Sequence, residues 1–180
     1  MNQMNKTSKT TLGAITAAVS VIIMMLTVIP VMTYSAPMVA GVLLLMIVIE
    51  MDKKWGYAIF LVSAVLSVIL ATDKQAVILY IMFFGHYPVT KAIIESRIHK
   101  RVIEWLIKIL LFNLTMAGAY LLVVRVFAFP MDEIGDMGRY GTYILLGAGN
   151  IMFPIYDIML TRLVIVYQLR VRPIVRKVFK

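Results

Sequence analysis

The chain has 180 residues, 62% of them hydrophobic and 15% charged, with a formal net charge of +9 and no cysteine. A soluble domain carries about 45–50% apolar and about 25% charged residues, so this composition excludes an ordinary soluble fold and marks a membrane protein. Without cysteine there is no disulfide framework, thiol nucleophile or cysteine metal site, and His86 and His99, the two histidines, supply little for metal chemistry.

The N-terminal MNQMNKTSKTT places Lys6 and Lys9 ahead of an apolar run. No small-residue cleavage pattern follows, so residues 1–10 read as a cytoplasmic tail before a retained helix. The 40 residues from Thr10 to Ile49 contain no Asp, Glu, Lys or Arg. That is about twice the ~20 residues one helix needs to cross a bilayer. Two spans are predicted there, from Thr11 to Met32 and from Ser35 to Ile49, with Pro30 and Pro37 marking the turn between them. A third span covers Trp55 to Ala71 and, after TDKQ, a short fourth covers Ala76 to Thr90. The stretch FFGHYPVTKAIIE closes it, with Gly85 and Pro88 allowing a kink, Lys91 at the boundary, and His86 and Tyr87 as boundary or packing residues. It reads either as a hinge or as a plain helix end. Residues 91–102 then form a mixed-charge helical connector at the membrane surface, since Ile94, Ile98 and Val102 recur at four-residue spacing. The fifth span covers Ile103 to Phe127, an acidic outer loop covers 128–139, the last span covers Tyr140 to Leu169, and 170–180 is a basic tail. The expectation is a single all-α bundle of six transmembrane helices, because backbone groups in lipid must satisfy one another.

Topology follows from the distribution of Lys and Arg. Twelve lie on one side: Lys6, Lys9, Lys53, Lys54, Arg97, Lys100, Arg101, Arg170, Arg172, Arg176, Lys177 and Lys180. Two, Lys74 and Arg139, lie on the other, beside Asp73, Asp132, Glu133 and Asp136. The richer side is expected to be cytoplasmic, with both termini there.

A lone charge at a helix centre costs at least ~2.5 kcal/mol on insertion scales, so each intramembrane polar group calls for a partner or a task. At about 1.5 Å per residue, Lys91, Lys108, Asp157 and Arg162 fall in the cytoplasmic half, near Glu50 and Glu104. They form either a structural ion-pair layer or a proton or ion relay. Asn113, Tyr120, Arg125, Tyr143 and Asn150 lie toward the outer side. There Arg125 offers a charge partner, the tyrosines stacking surfaces and the asparagines hydrogen bonds to a small molecule. The alternative is an interfacial aromatic belt with Arg125 extended toward the headgroups. In GAITAA of the first helix, Gly13 with Ala17 and Ala14 with Ala18 make two small-xxx-small pairs on neighbouring faces, for docking a partner or for internal packing.

No Walker phosphate loop, Gly-x-Ser-x-Gly elbow, His-Glu-x-x-His helix or clustered acidic metal motif occurs, so neither an enzymatic activity nor a cofactor is expected. No folded module or aromatic interleaving in the basic tail supports a nucleic-acid partner.

Six spans in about 180 residues, both ends cytoplasmic, and Ala14-x-x-x-Ala18 in the first helix resemble the S components of energy-coupling factor transporters. The resemblance concerns size, layout and that one motif. It implies a bacterial plasma-membrane protein that captures a vitamin-like or cofactor-precursor molecule at the outer ends of its later helices. It also implies docking by Ala14 and Ala18, flanked by Gly13 and Ala17, onto a transmembrane coupling protein driven by cytoplasmic ATPases. The substrate-specific signatures of the thiamine, riboflavin, biotin and folate members are not matched, and the His-rich N-terminus of the nickel and cobalt type is absent. A small accessory or scaffold protein of an envelope complex and a proton-coupled small carrier using Lys91, Lys108 and Asp157 are the competing readings.

Overall fold

The computed structural model describes residues 5–127 and 141–178, with side chains left aside at 124–127, 141–143, 145 and 176–178. The outer loop at 128–139 and the side chains of Arg125 and Tyr143 therefore lie outside the described residues. Helices occupy nearly all of what is described, and no strand occurs among those residues. In chain order they are α1 (Lys6–Met25), α2 (Met32–Glu50), α3 (Lys53–Leu70), α4 (Lys74–Leu79), α5 (Tyr87–Arg97), α6 (Arg101–Phe127), α7 (Gly141–Val166) and α8 (Arg172–Val178). A 3₁₀ turn at Leu26–Val28 extends α1, and π turns at Tyr80–Phe84 and Tyr167–Val171 join α4 to α5 and α7 to α8. Six of the resulting helical runs are long and apolar enough to cross a membrane, as composition led one to expect.

Several boundaries differ from the sequence reading, among them the start of α1, at Lys6 and not Thr11. Pro37 lies inside α2, not in the turn, which is instead made by residues 29–31. The fourth span does not stop at Thr90. Its helix runs on through Lys91 to Arg97, and residues 98–100 separate it from α6, so 91–102 is not one continuous helical segment. The basic stretch from 170 is likewise helical as far as Val178. A charge normally ends a span; here Lys91 is 2% exposed because partners on other helices receive it.

Local chemistry accounts for the breaks. Asp52 caps α3 at the Lys54 N–H, and Asp73 caps α4 at the Gln75 and Ala76 N–H groups. Each satisfies donors that a helix start leaves unpaired. Both π turns sit one turn ahead of a proline: Phe84 is four residues before Pro88, and Leu169 four before Pro173. A proline supplies no N–H to the carbonyl four residues back, and its ring pushes that carbonyl aside. At the first of these turns the Gly85 N–H bonds instead to the Tyr80 carbonyl at 2.7 Å. The displaced Phe84 carbonyl lies against Gly41 of α2, where a Cβ would overlap its oxygen. Gly41 is thus the residue that lets α2 cross the distorted fourth span closely.

Two packed clusters share α2 and the fourth span. Ala17 and Met24 of α1, Ala40, Leu44 and Ile47 of α2, Ile59, Phe60 and Ala64 of α3, and Tyr80 form the first. Within it the buried hydroxyls of Ser63 and Tyr80 meet at 2.7 Å. Leu45, Phe83, Tyr87, Phe112, Phe153, Tyr156 and Leu160 form the second, between α2, the fourth span, α6 and α7. Phe83 stands at its centre, with the rings of Tyr87, Phe112 and Phe153 at 4.7, 5.2 and 5.9 Å. This aromatic mass carries the charged site on one side.

Candidate functional site

Three of the four residues expected in the charged layer, Lys91, Lys108 and Asp157, come together, and other residues join them. Asp157 of α7 is the centre of this cluster. One carboxylate oxygen, Oδ1, accepts from the Tyr87 hydroxyl and from Lys91 Nζ, both at 2.6 Å. The other, Oδ2, accepts from Lys108 Nζ at 3.2 Å. Glu95 Oε1 then bridges the two ammonium groups, 2.6 Å from Lys91 and 2.7 Å from Lys108. Glu104 closes the network at 2.6 Å from Lys108, whose ammonium also lies 5.6 Å from the Trp105 ring centre. Lys108 and Asp157 are only 1% and 3% exposed, while Glu95 and Glu104 lie toward the surface.

The helical repeat assembles this from three elements. Tyr87, Lys91 and Glu95 stand at successive four-residue steps on one face of α5, and Glu104 and Lys108 do so on α6. Asp157 then needs only α7 to lie opposite. Taking an ion out of water costs several kcal/mol, which a buried pair offsets only when every remaining donor and acceptor is also engaged. Lys108 meets that condition with three carboxylate contacts for its three N–H bonds. The arrangement suits a lock between α5, α6 and α7.

Arg162 does not belong to the layer. It is exposed, and among the described residues no ion pair joins it to the cluster, because it lies five residues past Asp157 and so about 140° away around the helix. Tyr87 and Glu95, which the sequence reading placed at a boundary and at the start of a surface helix, are members. The four-residue spacing Tyr87, Lys91, Glu95 within FFGHYPVTKAIIE was the available signal.

Asn113 and Asn150 are brought together across α6 and α7. Each side-chain amide donates to the other's carbonyl oxygen, at 2.8 and 2.9 Å, and each also donates to the carbonyl four residues back, Ile109 and Leu146, at 2.9 Å. Both N–H bonds of both amides are thereby engaged within the protein, so the pair bolts two helices together and presents no donor to a ligand. Between this pair and Asp157 the rings of Phe112 and Phe153 stack at 4.8 Å and 21°. Tyr120 lies two turns beyond Asn113 on α6 and is partly buried.

The small residues of α1 divide cleanly. Gly13 and Ala17 face the bundle, and a Cβ on Gly13 would sit 2.9 Å from the Ile59 side chain of α3. They are internal packing residues, which corrects their expected place beside the docking pair. Ala14 and Ala18, one position on, are exposed.

Among the described residues the fold and this site define an all-helical architecture with six membrane-capable spans, three of them tied by a buried ionic cluster. Comparison with family models, with curated proteins and with solved structures finds no match for the chain.

Proposed function

We propose that the chain is the substrate-capturing subunit of an energy-coupling factor type uptake transporter, seated in a bacterial plasma membrane with both termini cytoplasmic. In this reading it takes a small vitamin-like or cofactor-precursor molecule on the outer side and docks through α1 onto a transmembrane coupling protein powered by cytoplasmic ATPases. One observation carries it: the Ala14 and Ala18 face of α1 is exposed while the neighbouring Gly13 and Ala17 face is consumed by packing. Methyl-sized side chains on a lipid-facing helix permit close approach of a partner backbone. The twelve-to-two distribution of Lys and Arg supports the orientation. The capture end rests on Tyr120, Arg125 and Tyr143 and on the resemblance, with Asn113 and Asn150 in a supporting role as the bolt beneath.

A scaffold subunit of an envelope complex is the second reading, favoured by the closed asparagine pair and the aromatic filling between the two polar layers. The same filling offers no support for a proton-coupled carrier working through Lys91, Lys108 and Asp157.

Pull-down of the full chain in mild detergent separates the two. Capture predicts co-purifying ATPases and a bound small molecule, whereas a scaffold predicts partners without a ligand. Recovery of neither from a folded preparation defeats both. Ala14→Trp combined with Ala18→Trp is expected to leave ligand capture and folding intact and abolish uptake; undiminished uptake rejects docking by this face.

A further inference from the structure

A second feature of the bundle lies away from the ionic cluster. Val42, Leu45 and Ile49 on one face of α2 look across a gap at Leu163, Tyr167 and Val171 of α7 and the π turn that follows it. The gap is a cleft with a cavity volume of about 100 Å³, and its lining is almost wholly apolar. From Ile49 to Val42 it extends seven residues, about 10 Å of helix, which is two-thirds of the ~15 Å depth of one hydrocarbon leaflet.

Charge is concentrated at one end, with the single exposed Arg162 beside Leu163 at the other. Glu50 directly follows Ile49, Arg172 directly follows Val171, and Arg172 Nε lies 3.1 Å from Glu50 Oε1. The Glu50 side chain is 1% exposed and that of Arg172 32%, so the acid is covered and the arginine side chain is partly open. Arg170 is exposed on the same turn. The last eleven residues, from Arg170 to Lys180, contain five cations and no anion. An apolar slot between membrane helices whose basic residues gather mainly at one end has the polarity of one lipid molecule.

We infer that this cleft is a binding site for an anionic phospholipid, one acyl chain lying between α2 and α7 and the phosphate held at Arg170 and Arg172. Glu50 orients Arg172 at the rim and prevents it from folding back along the apolar wall. Hydrocarbon is the occupant suited to such a lining, because water there would find few polar partners. The negative headgroup is selected by Arg170 and Arg172, while the acid paired with Arg172, Glu50, is covered. The site is independent of any transport partner.

The test is native mass spectrometry of the full chain released from micelles holding equimolar phosphatidylglycerol and phosphatidylcholine with identical acyl chains. The wild type should retain phosphatidylglycerol in clear excess. Arg170→Gln should lower that ratio by about fivefold, the effect of one basic residue near a phosphate. Glu50→Gln with Arg172→Gln, which removes both members of the ion pair together and leaves no buried charge behind, should lower it comparably. Val166→Trp, placed at a half-exposed position on the cleft wall, should reduce retention of both lipids without changing their ratio. Equal retention of the two lipids by the wild type overturns the inference. So does a preference that survives the arginine changes, or retention that Val166→Trp does not lower.

Discussion

Removing the negative charge of Asp157 leaves Lys91 and Lys108 with the charges of Glu95 and Glu104 alone and leaves the Tyr87 hydroxyl a neutral acceptor in place of an ionised one. Breaking a buried ionic cluster from one side typically costs about 3–5 kcal/mol. Asp157→Asn should therefore lower the unfolding midpoint of the detergent-solubilised protein markedly. Arg162→Gln, at an exposed position on the same helix, should change it by no more than about 0.5 kcal/mol. Equal effects of the two would remove Asp157 from the centre of the site. Tyr87→Phe isolates one hydrogen bond to a charged acceptor, worth about 1.5–3 kcal/mol, while leaving the aromatic packing in place. The sequence alone showed that Lys91, Lys108 and Asp157 need explaining, because charges in apolar runs are costly. It did not show that Tyr87 and Glu95 join them, since a tyrosine and a glutamate near a helix end are ordinary boundary residues until a partner appears opposite.

Between helices, two contacts set the geometry. At the first, Gly41 lets α2 pass the carbonyl that Pro88 displaces at Phe84. A methyl group there meets backbone, which cannot rotate away. Gly41→Ala should thus destabilise by about 1–3 kcal/mol, the usual cost of overpacking. Gly147→Ala, where a Cβ meets nothing within 4 Å, is the matched control. A thermal melt of the two variants checks the difference. At the second contact, the Asn113 and Asn150 amides form a closed pair, so a double-mutant cycle with alanine should give a coupling of about 0.6–1.7 kcal/mol. Zero coupling would mean that the asparagines are not joined in the membrane and would return them to the capture site.

At the scale of the whole molecule, orientation is the property most directly open to experiment. The chain contains no cysteine, so single substitutions report without background. With a membrane-impermeant maleimide on intact cells, Thr72→Cys should label, whereas Lys6→Cys and Lys100→Cys should label only after permeabilisation. The reverse pattern would invert the topology and, with it, move the ionic cluster to the outer side. The Ala14 and Ala18 face matters at this scale too, because it is a property of the assembled bundle that one small-residue face of α1 remains uncovered.

Hydropathy and charge are local quantities, and they sufficed for the number of spans, their approximate positions and the all-helical class. A 40-residue uncharged run has few ways to be accommodated except as two crossings. They misplaced the end of the fourth helical run, which continues to Arg97 through the buried Lys91. Its partner Asp157 is 66 residues away in the chain, and only packing of α5 against α7 converts an expensive charge into a buried pair. The same holds for α1. Helical phase puts Gly13 with Ala17 and Ala14 with Ala18 on adjacent faces, but the position of Ile59 on α3 decides which pair is covered. Residue type sets what a side chain costs when buried alone; the tertiary structure decides whether it is ever alone.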